Sequence, residues 1–516
     1  MNQQRKISSQ KFINHYFSVL FSSNSLLIVI IIAIVGFVLT LKNRYIYIDD
    51  AWFGEQAYWL AKDGVVKVES LKGFFGWDER LMVYHKLNIF LGAGIIKLFG
   101  WSVNYFRIAT LIIFLLFFVI LRRYKQLNAN KFDNNDFLLW VFYLVVNPII
   151  ISLAFTYRPE ILVMLFGFFS WINLDKSAEK TKNFDYLFSG IFAGLAFLTH
   201  MNGLIFPVAG AILLLINRNY KSFFVFSAAA GITSLLYFYD LWQAGRFELF
   251  LFQMNNWPDP VGGNWLSKGP LGFLWNVVVK LSMEHQRFFW STKVWMVSVF
   301  FLLSLIPFFK QLIAERKPLL IYTFILIVSL NVLGSQIAER FLIYFLPYMA
   351  LIFSFGIKKL LQQDRFFIKL LFCIAFMLQI GFSAAMVVQI VQKNQDFVAL
   401  HADALLQIKA QNEIVLADYP FVFNGIQTNR MVTFKLFEYL EVTEKMKFNT
   451  QTFAERAYSL GIAYIIFPAR KDRIENNDYS SLFLQAQEIP HYEHFLEADG
   501  YYFYRLQKLT TEDIGD

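Results

Sequence analysis

Apolar residues come in runs of about 15 to 25, separated by short charged loops, and a run of that length crosses a hydrocarbon core as a helix. The spacing predicts spans at roughly 25–41, 105–121, 137–155, 160–174, 186–199, 203–216, 222–241, 294–309, 318–334, 340–357 and 366–392, about eleven in all. The run 87–99 is too short to cross comfortably and is read as a helix lying along the outer interface, inside a long external loop over 42–104. A second external loop, 242–292, carries Trp257, Trp265, Trp275 and Trp290, residues suited to a headgroup boundary. After residue 392 the pattern turns polar, and short apolar runs at 413–417, 462–467 and 501–506 alternate with helix-like stretches. The fold class expected is therefore an α-helical polytopic membrane protein, residues 1–392, with a small C-terminal α/β soluble domain, residues 393–516.

Composition agrees: 57% of the 516 residues are hydrophobic, 16% are charged, and 60 are phenylalanine, a balance that places most of the chain in lipid. The formal charge of +9 alone suggests a nucleic-acid partner. Its basic residues, however, lie in loops between spans: Arg122, Arg123 and Lys125; Lys176, Lys180 and Lys182; Arg218 and Lys221; Lys310, Arg316 and Lys317; Lys358 and Lys359. Placing these loops in the cytoplasm gives one consistent path and explains the excess without nucleic acid. The N-terminus is then internal and the tail external. No small-residue cleavage site follows the first run, so an uncleaved first span in the inner (plasma) membrane is expected. The single cysteine, Cys373, excludes a disulfide framework and a thiolate metal cluster. Without a P-loop or dinucleotide fingerprint, energy from ATP is not indicated.

Three groups of residues carry candidate chemistry, all on the external side of this topology. Asp49, Asp50 and Glu55 stand where the first span leaves the membrane. A partly desolvated carboxylate there serves as general base toward a hydroxyl, although an Asp also begins a helix well. Following immediately on the apolar span, Asp49 is expected to be the less solvated of the pair. Arg158 and Glu160 flank Pro159 in a charged turn between apolar helices, which suits a cavity and also a helix start. The third group is Tyr84, His85 and Lys86, with His200, Arg340 and Tyr344, a set that would suit a lipid phosphate where the alternative is snorkelling at helix ends. His85 and His200 with Glu55 or Asp50 are residue types that ligate a divalent metal, but at no signature spacing.

The order of these motifs resembles that of the type-C glycosyltransferases, in particular the protein O-mannosyltransferases and the lipid A aminoarabinose transferase, from the first span to about Ala350. The family's acidic pair is matched by Asp49-Asp50, followed by the helix running from Ala57 to Ala61 and Gly64. Its Tyr-His-Lys segment is matched by Tyr84-His85-Lys86, its Leu-Phe-Gly by Leu98-Phe99-Gly100, with Arg107 shortly after, and its Arg-Pro-Asp turn by Arg158-Pro159-Glu160. The run from Gly194 to Thr199 and Arg340-Phe341 with Tyr344 and Pro347 complete the order. Departures are the two prolines missing after Lys86, Glu160 in place of Asp, and His200 in place of Lys. The resemblance implies a polyprenyl-phosphate sugar donor and a lipid, glycan or protein acceptor. The chemistry expected with such a donor is an inverting displacement with Asp49 as base, Asp50 and Glu160 orienting hydroxyls, and Arg340 and Tyr344 stabilising the departing phosphate, assisted by His200, Arg158 or Lys86. The rival reading is a lipid or glycan flippase, which predicts charges near the bilayer midplane and an inverted repeat.

Overall fold

The long apolar runs fold as helix, and most of these helices stop at the polar breaks between runs. The computed structural model describes residues 2–41, 43–175, 183–258, 269–334, 337–393, 396–408, 412–469 and 488–507; Lys176, Lys180, Lys182 and Trp265 lie outside them. Two helices open the chain, α1 (Asn2–Leu20) and α2 (Ser23–Leu39), bent by 53° at their junction. The first external loop contributes α3 (Ile48–Asp63) and α4 (Lys86–Phe99). The helical body continues through α5 (Val103–Leu127), α6 (Asn134–Val145), α7 (Pro148–Leu153), α8 (Glu160–Leu174), α9 (Asn183–Thr199), α10 (Ile205–Ile216) and α11 (Tyr220–Leu235). The second external loop holds α12 (Arg246–Asn255), α13 (Gly269–Met283) and α14 (His285–Phe289), and the body closes with α15 (Thr292–Leu305), α16 (Phe309–Leu333), α17 (Leu346–Leu361) and α18 (Phe366–Gln392).

Among the described residues, four helices are long and apolar enough to cross a membrane, or six if each of two bent pairs is one span. The run 137–155, expected as one span, is broken between α6 and α7. Pro148 has no amide proton to continue the ladder, and Asn147 caps the new start by accepting from the Ile149 amide at 2.9 Å. The run 340–357 likewise begins as a 3-10 turn, Glu339–Tyr344, before α17.

The tail is built from α19 (Phe397–Leu406), β1 (Ile414–Ala417), α20 (Val422–Gly425), β2 (Arg430–Thr433), α21 (Phe434–Glu444), α22 (Thr450–Ser459), β3 (Tyr464–Pro468), β4 (Tyr492–Ala498) and β5 (Tyr501–Leu506). Its sheet has the order β2-β1-β3-β5-β4, parallel on the β2-β1-β3 side and antiparallel from β3 onward. The tail does not stand apart. Trp59, Trp77 and Val103 share one buried apolar cluster with Leu416, Phe437 and Phe467, so the first external loop and the sheet form a single core. That packing brings Lys435 and Tyr439 of α21 to the same cavity as Asp49 and Arg158.

Candidate active site

The site begins with the start of α3. Asp50, 1% exposed, accepts from the Tyr47 amide at 3.1 Å and from the Tyr157 amide on its other oxygen. One side chain thus caps α3 and fastens it to the 157–160 turn. Burial pushes its carboxyl up to about 6, opposed by Arg107 and by the two amides. Asp49 is the exposed member of the pair, at 40%, which reverses the expected order of solvation. Helical rotation turns Asp50 inward onto Tyr157, more than a hundred residues away, and leaves Asp49 facing open space.

Tyr157 fixes the turn from the other side: its hydroxyl donates to the Asn88 carbonyl at 2.6 Å, and it passes so close to Gly92 that any Cβ there would overlap it. Arg158 then lies between two carboxylates. Its Nε and Nη2 donate to Glu160 at 2.7 to 3.2 Å, and its Nη1 donates to Asp49 Oδ2. These carboxylates raise the affinity of the guanidinium for its proton above the ordinary value despite burial. Glu160, 1% exposed, also has Arg340 Nε at 3.6 Å.

His85 and His200 stack, with ring centroids 4.2 Å apart and planes 21° from parallel. Burial pushes His85 down to about 4 and holds His200 well below its ordinary value. The Nδ1 of His200 accepts from the Asn202 amide at 2.9 Å, which places the ring proton on Nε2. His200 is therefore a neutral hydrogen-bond donor where the family has the cation of a lysine.

Asp49, Tyr84, His85, Arg158, Glu160, His200 and Arg340 line one cavity of about 610 Å³. Asp50, Lys86, Tyr344 and Glu55 are not among its lining residues. The Lys86 ammonium is bound to Asp240, 2.6 and 2.7 Å from its oxygens, and sits 4.1 Å from the Tyr84 ring centroid. Tyr344 is fully buried against Phe341 and Phe206. Glu55 accepts from the Ser70 amide at 2.9 Å, from the Ser70 hydroxyl at 2.5 Å and from Tyr419 at 3.4 Å, tying the first loop to the tail. Burial pushes it up to about 7. Among the described residues no group of three or more His, Cys, Asp or Glu is arranged to hold a metal, the candidates Glu55 and His85 included.

Several lining residues had no sequence signal. Trp52, Phe53 and Gln56 follow Asp49 at helical spacing on α3, while Lys435 and Tyr439 arrive from α21 of the tail.

Residues 87–248 match the sequence profile of the dolichyl-phosphate-mannose-protein mannosyltransferase family. No curated protein sequence matches the chain. In fold, the chain is similar to ArnT from Cupriavidus metallidurans bound to undecaprenyl phosphate, with a TM-score of 0.59 at 10% identity, covering 94% of this chain and 98% of that one. It is also similar to the Archaeoglobus fulgidus oligosaccharyltransferase tethered to an acceptor peptide, with a TM-score of 0.51 at 10% identity, covering 95% and 75%. The chain thus shares its fold with these two proteins and, over residues 87–248, the sequence pattern of the mannosyltransferase family.

Proposed function

We propose that the protein is an inverting membrane glycosyltransferase that moves a hexosyl or pentosyl unit from a polyprenyl-phosphate donor to a hydroxyl acceptor on the extracytoplasmic face of the inner membrane. The observation that carries this reading is the convergence in one cavity of an accessible carboxylate, Asp49, with a row of groups that bind phosphate: Arg158, Arg340 and the Nε2 proton of His200. The solved relatives support the donor class, one of them being bound to undecaprenyl phosphate.

In this reading Asp49 accepts the proton of the acceptor hydroxyl as that oxygen attacks the anomeric carbon, the bond to phosphate breaks, and polyprenyl phosphate leaves with the electron pair. The ion pair with Arg158 occupies Oδ2 and aims the other carboxylate oxygen. Glu160 holds the other edge of the Arg158 guanidinium and so fixes the arm that positions Asp49. Arg340 meets the departing phosphate with a forked guanidinium, and neutral His200 adds one hydrogen bond. Asp50, held by two backbone amides, fastens the frame and does not touch substrate. The tail contributes Lys435 and Tyr439 to the cavity wall.

The experiment is mass spectrometry of the envelope lipids and glycans with and without the gene. The reading expects a polyprenyl-phosphate sugar to accumulate and one sugar increment to disappear from an acceptor. An unchanged lipid and glycan inventory would overturn it.

A further inference from the structure

Within the cavity, α3 presents four side chains at one helical face: Asp49, Trp52, Phe53 and Gln56. The first is the charged end already described. The last is unusual. Gln56 is 1% exposed and lines the cavity, yet neither its amide nitrogen nor its amide oxygen has a protein partner among the described residues. A buried carboxamide left unsatisfied costs about 1 to 3 kcal/mol, so a site that keeps one has a use for it. A carboxamide offers donors and an acceptor without charge, which matches a hydroxyl group better than a phosphate or an ammonium.

The neighbouring wall is aromatic. Trp77, fully buried, holds three cavity-lining rings around it: Trp52 at 5.6 Å, Trp257 at 4.7 Å and Tyr439 at 6.0 Å between centroids. Trp257 comes from the second external loop and Tyr439 from the tail, so three separate parts of the chain build this wall. Flat apolar faces beside a neutral hydrogen-bonding group are what a pyranose ring presents a complement to, having C–H groups on its faces and hydroxyls on its rim.

Position assigns the ring to one substrate. Gln56 lies seven residues beyond Asp49, about 10 Å along the axis of α3. The phosphate-binding groups Arg340 and His200 come instead from the ends of the later helices, while Arg158 stays paired with Asp49 and Glu160. In an inverting displacement the nucleophile and the leaving group stand on opposite sides of the anomeric carbon, so the acceptor approaches from the side away from the phosphate. We infer that Gln56, Trp52, Trp257 and Tyr439 form a pyranose-binding acceptor subsite, and that the acceptor hydroxyl is carried by a carbohydrate. This rests on the glycosyl-transfer reading and narrows its acceptor to glycans and glycolipids.

The test uses the full chain in detergent and three defined probes, methyl β-glucoside, maltose and chitobiose, titrated by saturation-transfer NMR, with undecaprenyl phosphate binding followed separately. At least one saccharide is expected to bind saturably. Gln56→Ala and Trp257→Ala should each weaken that binding tenfold or more while leaving undecaprenyl phosphate binding unchanged. Trp257 lies at the rim of the cavity, so its variant answers even where a change at buried Gln56 perturbs folding. No saturable binding of any probe, or equal affinity in both variants, overturns the subsite. Competition between the saccharide and a polyprenyl-phosphate sugar, with none from undecaprenyl phosphate alone, overturns the acceptor assignment in favour of the donor sugar. Failure of the wild type to bind undecaprenyl phosphate overturns the transferase reading itself, and is distinguishable because saccharide binding is measured independently.

Discussion

Glu160→Gln removes one charge from the Asp49–Arg158–Glu160 triad while keeping the shape of the side chain. Glu160 and Arg158 are joined by three contacts of 2.7 to 3.2 Å, and the carboxylate is almost wholly buried. Breaking a buried pair by taking one partner costs roughly 3–5 kcal/mol. Gln keeps an acceptor oxygen for Arg158, so the lower end applies, about 3 kcal/mol, or roughly a hundredfold in the folding equilibrium. The effect on rate has a separate origin. Glu160 anchors Arg158 through three hydrogen bonds, and Arg158 in turn positions Asp49, so weakening that anchor displaces the base from the acceptor hydroxyl. Turnover should fall roughly 10- to 100-fold, less than the roughly 100- to 10,000-fold expected for losing the base itself. The assay is thermal unfolding and single-turnover transfer on purified protein, with Glu160→Gln compared with Glu160→Gln/Arg158→Met. The double variant removes both charges and should recover much of the stability without recovering turnover. Wild-type stability and turnover in Glu160→Gln would refute the reasoning.

Arg340→Ala should weaken donor binding more than Arg340→Lys, since the guanidinium reaches two phosphate oxygens and the ammonium is a point charge; equal binding of undecaprenyl phosphate by both would remove Arg340 from the phosphate site. Glu55 has a folded-state value of about 7 against 4.5 unfolded, so the native state holds its proton longer. Its contribution to stability is complete below about pH 4.5 and is lost as pH rises through about 7; melting temperatures across that window should fall less in Glu55→Gln than in wild type, and parallel curves would contradict this. Alkaline phosphatase fused to the C-terminus should be active, because placing the basic loops in the cytoplasm puts the tail outside. A silent phosphatase with a fluorescent cytoplasmic reporter at the same point would overturn the sidedness.

The helices were legible because a long apolar run has one economical structure in lipid, and α4 coincides almost residue for residue with the short run read at 87–99. In the tail the three apolar runs became β1, β3 and β5, whereas β2 and β4 went unread. β2 is four residues long, and β4 is mostly half-exposed at an edge with a register shift between His494 and Leu496, so neither carries a clear pattern. The charged turn at 158–160 and Asp49 were visible as charges beside apolar helices. Which aspartate turns inward was not, because Asp50 is buried by an amide 107 residues away. The same holds for Lys86, whose partner Asp240 is 154 residues distant. Gln56 and Tyr439 carry no charge and match no motif, and only the folded chain brings them to the cavity wall.

The central claim is that Asp49 is the base of a lipid-phosphate sugar transfer, and one substitution tests it most directly. In a gene-deletion strain carrying either the wild-type gene or Asp49→Asn, polyprenyl-phosphate sugars are quantified by mass spectrometry, with membrane levels and melting of the variant checked in parallel. The amide preserves shape and polar contact but accepts no proton, so a loss of roughly 100- to 10,000-fold in transfer is expected, with normal folding and the donor accumulating as in the deletion. Full complementation by Asp49→Asn, with the donor consumed as in wild type, would contradict the account.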